Sequence, residues 1–289
     1  MKSYIRFDWV IKYMLRDKAN YIIVEGFLSE LLGQTLYIEE LLESESNKDS
    51  FADKFNRVDL LVKTQRGELI IIELQYETEL DYFHRILYGT SKLITQYLSE
   101  GDPYSRLKKV ISVSMVYFDL GVGTDYLYHG TTSFRGMRCQ DQLQLNSKQQ
   151  RLYHCQHILD LYPEYYLIKV NQFPDIITDT LDQWVYFLKN EQILENFTAQ
   201  GLKEAQEKLE VVKLPDEKRQ AYETYLENRR YQNSMMESSR LEGFWEGEQT
   251  KALKIAKKLL TSLDDTSISE VTGLDIATVQ QLREKRSGK

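Results

Sequence analysis

Two acidic residues and one amide are the first positions whose type and spacing could do chemistry. Asp59 sits in the stretch Arg57 to Lys63, where Val58, Leu60 and Val62 alternate with Asp59, Leu61 and Lys63. Glu73 interrupts the apolar run Leu69-Ile70-Ile71-Ile72, and Gln75 follows two residues later. Thr64-Gln65-Arg66-Gly67 between them reads as a tight turn. An antiparallel hairpin closed at that turn sets both carboxylates on one face and at one end. The strand period of two points Glu73 and Gln75 the same way. Carboxylates this close repel one another unless a cation lies between them. Mg2+ or Mn2+ suits such a place, because hard cations take carboxylate, carbonyl and water oxygens. The backbone carbonyl of Leu74 is a further candidate ligand. An ion held there would bind a phosphate oxygen, acidify a water and offset charge in a pentavalent transition state. Gln75 can orient that water but cannot act as a general base, since an amide does not titrate.

Glu25 is the fourth candidate. It lies in the apolar stretch Ile22-Ile23-Val24-Glu25-Gly26-Phe27-Leu28, where a buried carboxylate needs a partner. A shared metal would supply one, and a place at the solvated edge of the helix is the plainer alternative. Asp59 and Glu73 have a plain alternative too, as outward acids of a strand. Glu68, Glu77 and Glu79 show how common acids are nearby.

The elements that must position these residues follow from hydrophobic periodicity. Residues 7–33 read as one bent helix or two consecutive ones, stopped at Gly33. Strands are expected near 36–42, 57–63 and 68–75, then a helix over 79–98 and a strand over 109–118. The order is αβββαβ, an α/β class with a mixed sheet. Further strands are expected within 125–170, including Gln142 to Leu145. Beyond Pro174 the chain turns helical, with a hinge expected at Gly243 and Gly247. Lys251 to Leu263, Ile268 to Thr272 and a last helix capped by Asp275 and running through Leu282 form a helix-turn-helix-like tail. Its second helix begins Asp275-Ile276-Ala277-Thr278, poor in phosphate-binding groups, so a helical hairpin or oligomerisation tail fits it at least as well as a DNA reader. The domains are therefore expected at 1–175, 176–248 and 249–289.

Charge narrows the function classes. The chain has 37 basic and 44 acidic residues, a net charge of −7. Residues 196–289 carry 16 of each sign, so the excess of 28 acidic over 21 basic lies in residues 1–195. That excludes a passive nucleic-acid binder with a basic face and leaves room for one whose acids are neutralised by metal. Two cysteines, Cys139 and Cys155, make neither a disulfide framework nor a zinc site. The longest aliphatic run, Leu69 to Ile72, is far too short to span a membrane. Asp8 and Arg16 interrupt any export signal, so a cytoplasmic location without membrane partners is expected.

The stretches Phe55-Asn56-Arg57-Val58-Asp59-Leu60-Leu61-Val62 and Gly67 to Gln75 resemble the PD-(D/E)XK nuclease superfamily. More narrowly, they resemble the bacterial PD-(D/E)XK nuclease family transposases, or recombination-promoting nucleases. The similarity continues through Phe83 to Ser91 and Gly101-Asp102-Pro103-Tyr104, and covers roughly residues 5–145. It implies a restriction-endonuclease-like αβββαβ core with a mixed central sheet, followed by a mainly helical C-terminal region. It implies a Mg2+-dependent DNA endonuclease tied to recombination or mobile elements. On this resemblance Asp59, Glu73 and Leu74 would hold the metal. Gln75 would stand where the superfamily has lysine, and Glu25 would be the first-helix acid. Arg85 and Tyr88 would face the substrate, with Arg57 among the cations near the phosphate. Gln75 for lysine is usual in the narrower group and removes a positive charge, and Val58 stands where the superfamily has proline. The alternative is a catalytically inactive protein that keeps the fold to bind DNA or to self-assemble through its C-terminal helices.

Overall fold

The computed structural model describes residues 4–10, 18–42, 59–98, 101–211 and 214–287. The chain divides into two compact units, Met1–Pro215 and Asp216–Lys289. The expected extension 176–248 straddles that boundary.

The first unit is built on one sheet. Strands β1 (Ile38–Leu42), β2 (Leu60–Thr64), β3 (Leu69–Gln75), β4 (Val110–Val116), β5 (Leu127–Gly130) and β6 (Glu164–Lys169) take the order β1-β2-β3-β4-β6-β5. β1, β2 and β3 form an antiparallel meander, β3, β4 and β6 are parallel, and β5 closes the edge antiparallel to β6. Connection length explains the change of direction. A four-residue turn suffices between β2 and β3, where Gly67 takes φ +82° and its amide donates to the Thr64 carbonyl at 2.8 Å. β3 reaches β4 only by a crossover, which helix α3 (Tyr82–Gln96) provides.

Strand alternation gives the sheet two different faces. On one, Leu61, Leu69, Ile71 and Val110 pack against Leu93 of α3. Nearer the C-terminal ends of the parallel strands, Tyr82 and Ile86 of α3 pack with Val116, Phe118 and Leu120. Residues of opposite parity face the other way, and the Tyr117 hydroxyl donates to the Leu188 carbonyl in α5 (Thr180–Asn190) at 3.1 Å. An aromatic cluster joins the short helix α1 (Phe7–Trp9), α2 (Tyr21–Leu32) and α5. Phe7, Phe27 and Trp184 meet edge to face at centroid separations of 5.4 to 5.9 Å. Gly33 ends α2 in the left-handed conformation, as its position in the sequence predicts. Helix α6 (Leu202–Lys208) begins at Gly201 and lies directly on α2.

The αβββαβ order is the one expected, and two later elements differ. Gln142 to Leu145 forms no strand; Gln142 makes a single bridge to Arg135. Helix α4 (Ser147–Tyr153) follows, because the Asn146 side chain accepts the Lys148 and Gln149 amides and Gln149 bonds back to Asn146. That capping box decides the local structure in favour of helix. No membrane-length apolar helix occurs among the described residues.

The second unit consists of α7 (Asp216–Leu259), α8 (Asp265–Thr272) and α9 (Ile276–Ser287). α7 runs unbroken through Gly243 and Gly247, so the expected hinge is not there. A glycine inside a helix costs about 1 kcal/mol relative to alanine but keeps its backbone hydrogen bonds. Ala256, Leu260, Ile268 and Val279 form the small core of the tail. Arg283 ties it together, pairing with Asp265 at 2.7 Å and donating to the Leu260 and Leu263 carbonyls. Asp264 and Asp275 cap α8 and α9, and α9 continues past Leu282.

Candidate active site

The hairpin register pairs Leu60 with Ile72, so Asp59, one residue before β2, stands opposite Glu73. Opposite residues of an antiparallel pair share a face. That face is the one covered by α3. Asp59 Oδ2 accepts the Leu74 amide at 2.7 Å, which fixes the carboxylate at the mouth of the hairpin. The Tyr117 amide donates to the Gln75 carbonyl at 2.9 Å, so Gln75 turns its backbone toward β4. By alternation the Leu74 carbonyl turns toward β2, on the side where Asp59 lies.

Glu73 is 8% exposed. Its carboxyl is pushed up from 4.5 to about 7, first by burial and then by the negative charges of Asp59 and Glu79. The Arg85 guanidinium and the Tyr82 hydroxyl, 3.4 Å from Glu73 Oε2, work against that rise. Arg85 reaches the site from α3, one turn beyond Tyr82. It pairs with Glu79 Oε2 at 2.7 Å through Nη1, while its buried Nε has no hydrogen-bond partner. The site thus holds a surplus of negative charge that Arg85 only partly offsets.

A pH dependence follows. Glu73 binds its proton more tightly folded than unfolded, so between pH 4.5 and about 7 the native state carries the extra proton. Stability therefore falls as pH rises through this window and levels off above it. The expected loss is on the order of 2–3 kcal/mol. Urea unfolding of the metal-free protein at pH 5 and pH 8 measures it, and Glu73→Gln is expected to flatten the difference.

Gln75 is half-buried, with Nε2 donating to the Glu77 carbonyl at 3.3 Å. Tyr88 lies three residues beyond Arg85 on α3 and is 55% exposed. Glu25 is half-buried, and its Oε1 accepts the Ile38 amide at 2.8 Å, joining α2 to the first residue of β1. Arg57 lies outside the described residues. Among the described residues no group of three or more His, Cys, Asp or Glu side chains gathers to hold a metal. The acidic set is thus the Asp59–Glu73 pair, with the Leu74 carbonyl beside it.

Four residues that sequence reasoning did not single out also belong to this region. Tyr82 and Glu79 contact Glu73 and Arg85, and the i, i+3 spacing of Tyr82 and Arg85 on one helix was a usable signal. Ser114 is fully buried and stands opposite Glu73 on β4. Lys169 lies in register with Gln75 across Val116. It is 2% exposed, its Nζ has no hydrogen-bond partner, and the nearest ring face is that of Tyr128 at 6.0 Å. No signal for Lys169 existed without the strand order. The whole group sits at the C-terminal ends of parallel strands, where open α/β sheets place their ligands.

A family model described as PD-(D/E)XK nuclease family transposase matches residues 5–239. No curated protein and no solved structure matches the chain.

Proposed function

The chain belongs to the PD-(D/E)XK nuclease family transposases, with the restriction-endonuclease-like α/β fold of that group, and we propose that it hydrolyses DNA phosphodiester bonds with a divalent cation at the Asp59–Glu73 pair. Nucleases of this superfamily generally use divalent metal ions. The donor set fits one. Asp59, Glu73 and the Leu74 carbonyl offer only oxygen, and Mg2+ is commonly bound by one or two carboxylates while keeping several waters. The observation that carries the reading is the buried Glu73 carboxyl standing opposite Asp59 at the open end of the hairpin. Such a site favours a cation over two bare charges.

When bound, a divalent ion supplies charge neutralisation and acidifies water. The protein groups do the rest. Asp59, which accepts the Leu74 amide, and Glu73, reached by the Tyr82 hydroxyl, would hold the cation. The partly exposed Arg85 guanidinium would bring positive charge toward a phosphate oxygen, and the exposed Tyr88 would border the approach to that phosphate. Gln75 orients the attacking water by donor and acceptor contacts while taking no proton. Lys169 contributes positive charge from the same sheet face, on which the superfamily's lysine is replaced by Gln75.

Titration calorimetry with MgCl2 and MnCl2 tests the reading. One ion per chain is expected, and the signal is expected to vanish in Asp59→Ala. Absence of binding to the wild-type protein in the presence of a DNA oligonucleotide would refute it.

A further inference from the structure

Residues 1–195 hold 28 acidic against 21 basic residues, so the part of the chain that carries the Asp59–Glu73 pair disfavours a polyanion at long range. The tail has the opposite sign. Residues 249–289 hold 8 basic and 5 acidic residues, a net charge of +3. Between Glu248 and Asp264 the chain carries four lysines and no acid.

Folding gathers these cations. Ala256 and Leu260 turn one face of α7 into the core of the tail, which leaves Lys254, Lys257 and Lys258 exposed. Arg283 of α9 donates to the Leu260 and Leu263 carbonyls at 2.7 and 2.8 Å, so the last turns of α9 lie at the C-terminal end of α7. There α9 carries Lys285 and Arg286, both exposed. None of these five cations forms an ion pair among the described residues. The acids of the tail are mostly committed elsewhere. Asp265 pairs with Arg283, while Asp264 and Asp275 cap α8 and α9. Glu270 and Glu284 remain, both exposed, against five cations. Cations in the last turn of a helix also offset its dipole, an effect confined to that turn. Lys254 lies before the last turn of α7, which holds Lys257 and Lys258.

We propose that this basic end of the tail, formed by Lys254, Lys257, Lys258, Lys285 and Arg286, binds the phosphate backbone of duplex DNA without reading its sequence. The family match ends at residue 239, so the patch lies wholly outside it. A duplex presents one negative charge per ~1.7 Å of its axis, a density that several neighbouring cations can engage at once. The first turn of α9, Ile276-Ala277-Thr278, carries no cation and begins at Asp275, so the contact runs through phosphates and not base edges. The choice of DNA as partner rests on the proposed function. Binding here needs no cation at Asp59 and Glu73, so the two can fail separately.

Fluorescence anisotropy of the full-length, metal-free protein on a labelled DNA duplex tests it. Micromolar binding is expected at 50 mM salt, weakening about a hundredfold by 200 mM as roughly four phosphate contacts are lost. Lys257→Glu, Lys258→Glu, Lys285→Glu and Arg286→Glu combined are expected to weaken binding about tenfold or more at 50 mM salt and to flatten the salt dependence. The corresponding four glutamine substitutions are expected to act in the same direction by less, and they keep the test informative if the reversals disturb the tail by circular dichroism. No binding by the wild type at 50 mM salt would overturn the proposal. So would wild-type affinity in the folded variants, or binding to phosphatidylserine vesicles in place of the duplex. Metal-free binding without cleavage in Mg2+ would instead overturn the function proposed above and leave this patch standing.

Discussion

Asp59→Ala and Glu73→Ala are each expected to lower Mg2+-dependent nicking of supercoiled plasmid by about a thousandfold or more. Removing one preorganised electrostatic contact from an active site typically costs about 10²–10³ in rate. On the proposed function each carboxylate is also half of the acidic set that would hold the cation. Under that proposal the two residues act through one ion, so the double variant is expected to be about as inactive as either single variant. Both variants should stay folded. Glu73→Ala removes a buried, partly charged group whose ionisation opposes folding above pH 7. Asp59→Ala leaves the Leu74 amide at the strand end without its acceptor, a loss of about 1–2 kcal/mol. Circular dichroism separates inactivity from unfolding. Cleavage at wild-type rates by both folded variants would remove the assignment of the site.

Gly26→Ala is expected to destabilise the first unit by more than about 4 kcal/mol, read as a shift of the urea midpoint at unchanged slope. A Cβ at this position of α2 would collide with the Gln200 carbonyl oxygen and lie 2.6 Å from the Gly201 Cα. These are backbone atoms, so no rotamer change relieves the clash. Gly201 has φ +80°, and its own Cβ would lie 2.9 Å from the Gly26 Cα and the Ile22 carbonyl. The Trp184 indole donates to the same Gln200 carbonyl at 3.0 Å, so separating α2 from α6 would also loosen the aromatic cluster. Overpacking a flexible side chain costs roughly 1–3 kcal/mol, and a collision with the backbone of the turn that enters α6 lies beyond that range.

The αβββαβ core was legible because its signals are local. The run Leu69 to Ile72 broken by Glu73, the glycine of the β2–β3 turn and the amphipathic stretch of α3 each act over a few residues. Together they fix a hairpin register in which Asp59 and Glu73 face each other. Lys169 was not legible, because its nearness to Gln75 depends on β6 pairing with β4 across a long intervening segment. Glu25 illustrates a different difficulty. Its apolar neighbours signal partial burial, but a carboxylate in such a place is satisfied equally well by an ion or by a backbone amide, and here Ile38 supplies the amide. Gly243 and Gly247 read as a hinge only if glycine is taken as a breaker, and an exposed helix bears two at modest cost. The α4 segment carried the needed signal in Asn146 and Gln149, which outweighs the weak alternation of the residues before it.

The strand order has a consequence for assembly of the nascent chain. β5 precedes β6 in sequence, yet its ladder is made with β6. During synthesis residues 127–130 therefore leave the ribosome with open backbone donors and acceptors. They stay that way until residues 164–169 have emerged and settled against β4. A short strand of four residues limits the length of that exposed edge, and with it the opportunity for mispairing between neighbouring chains.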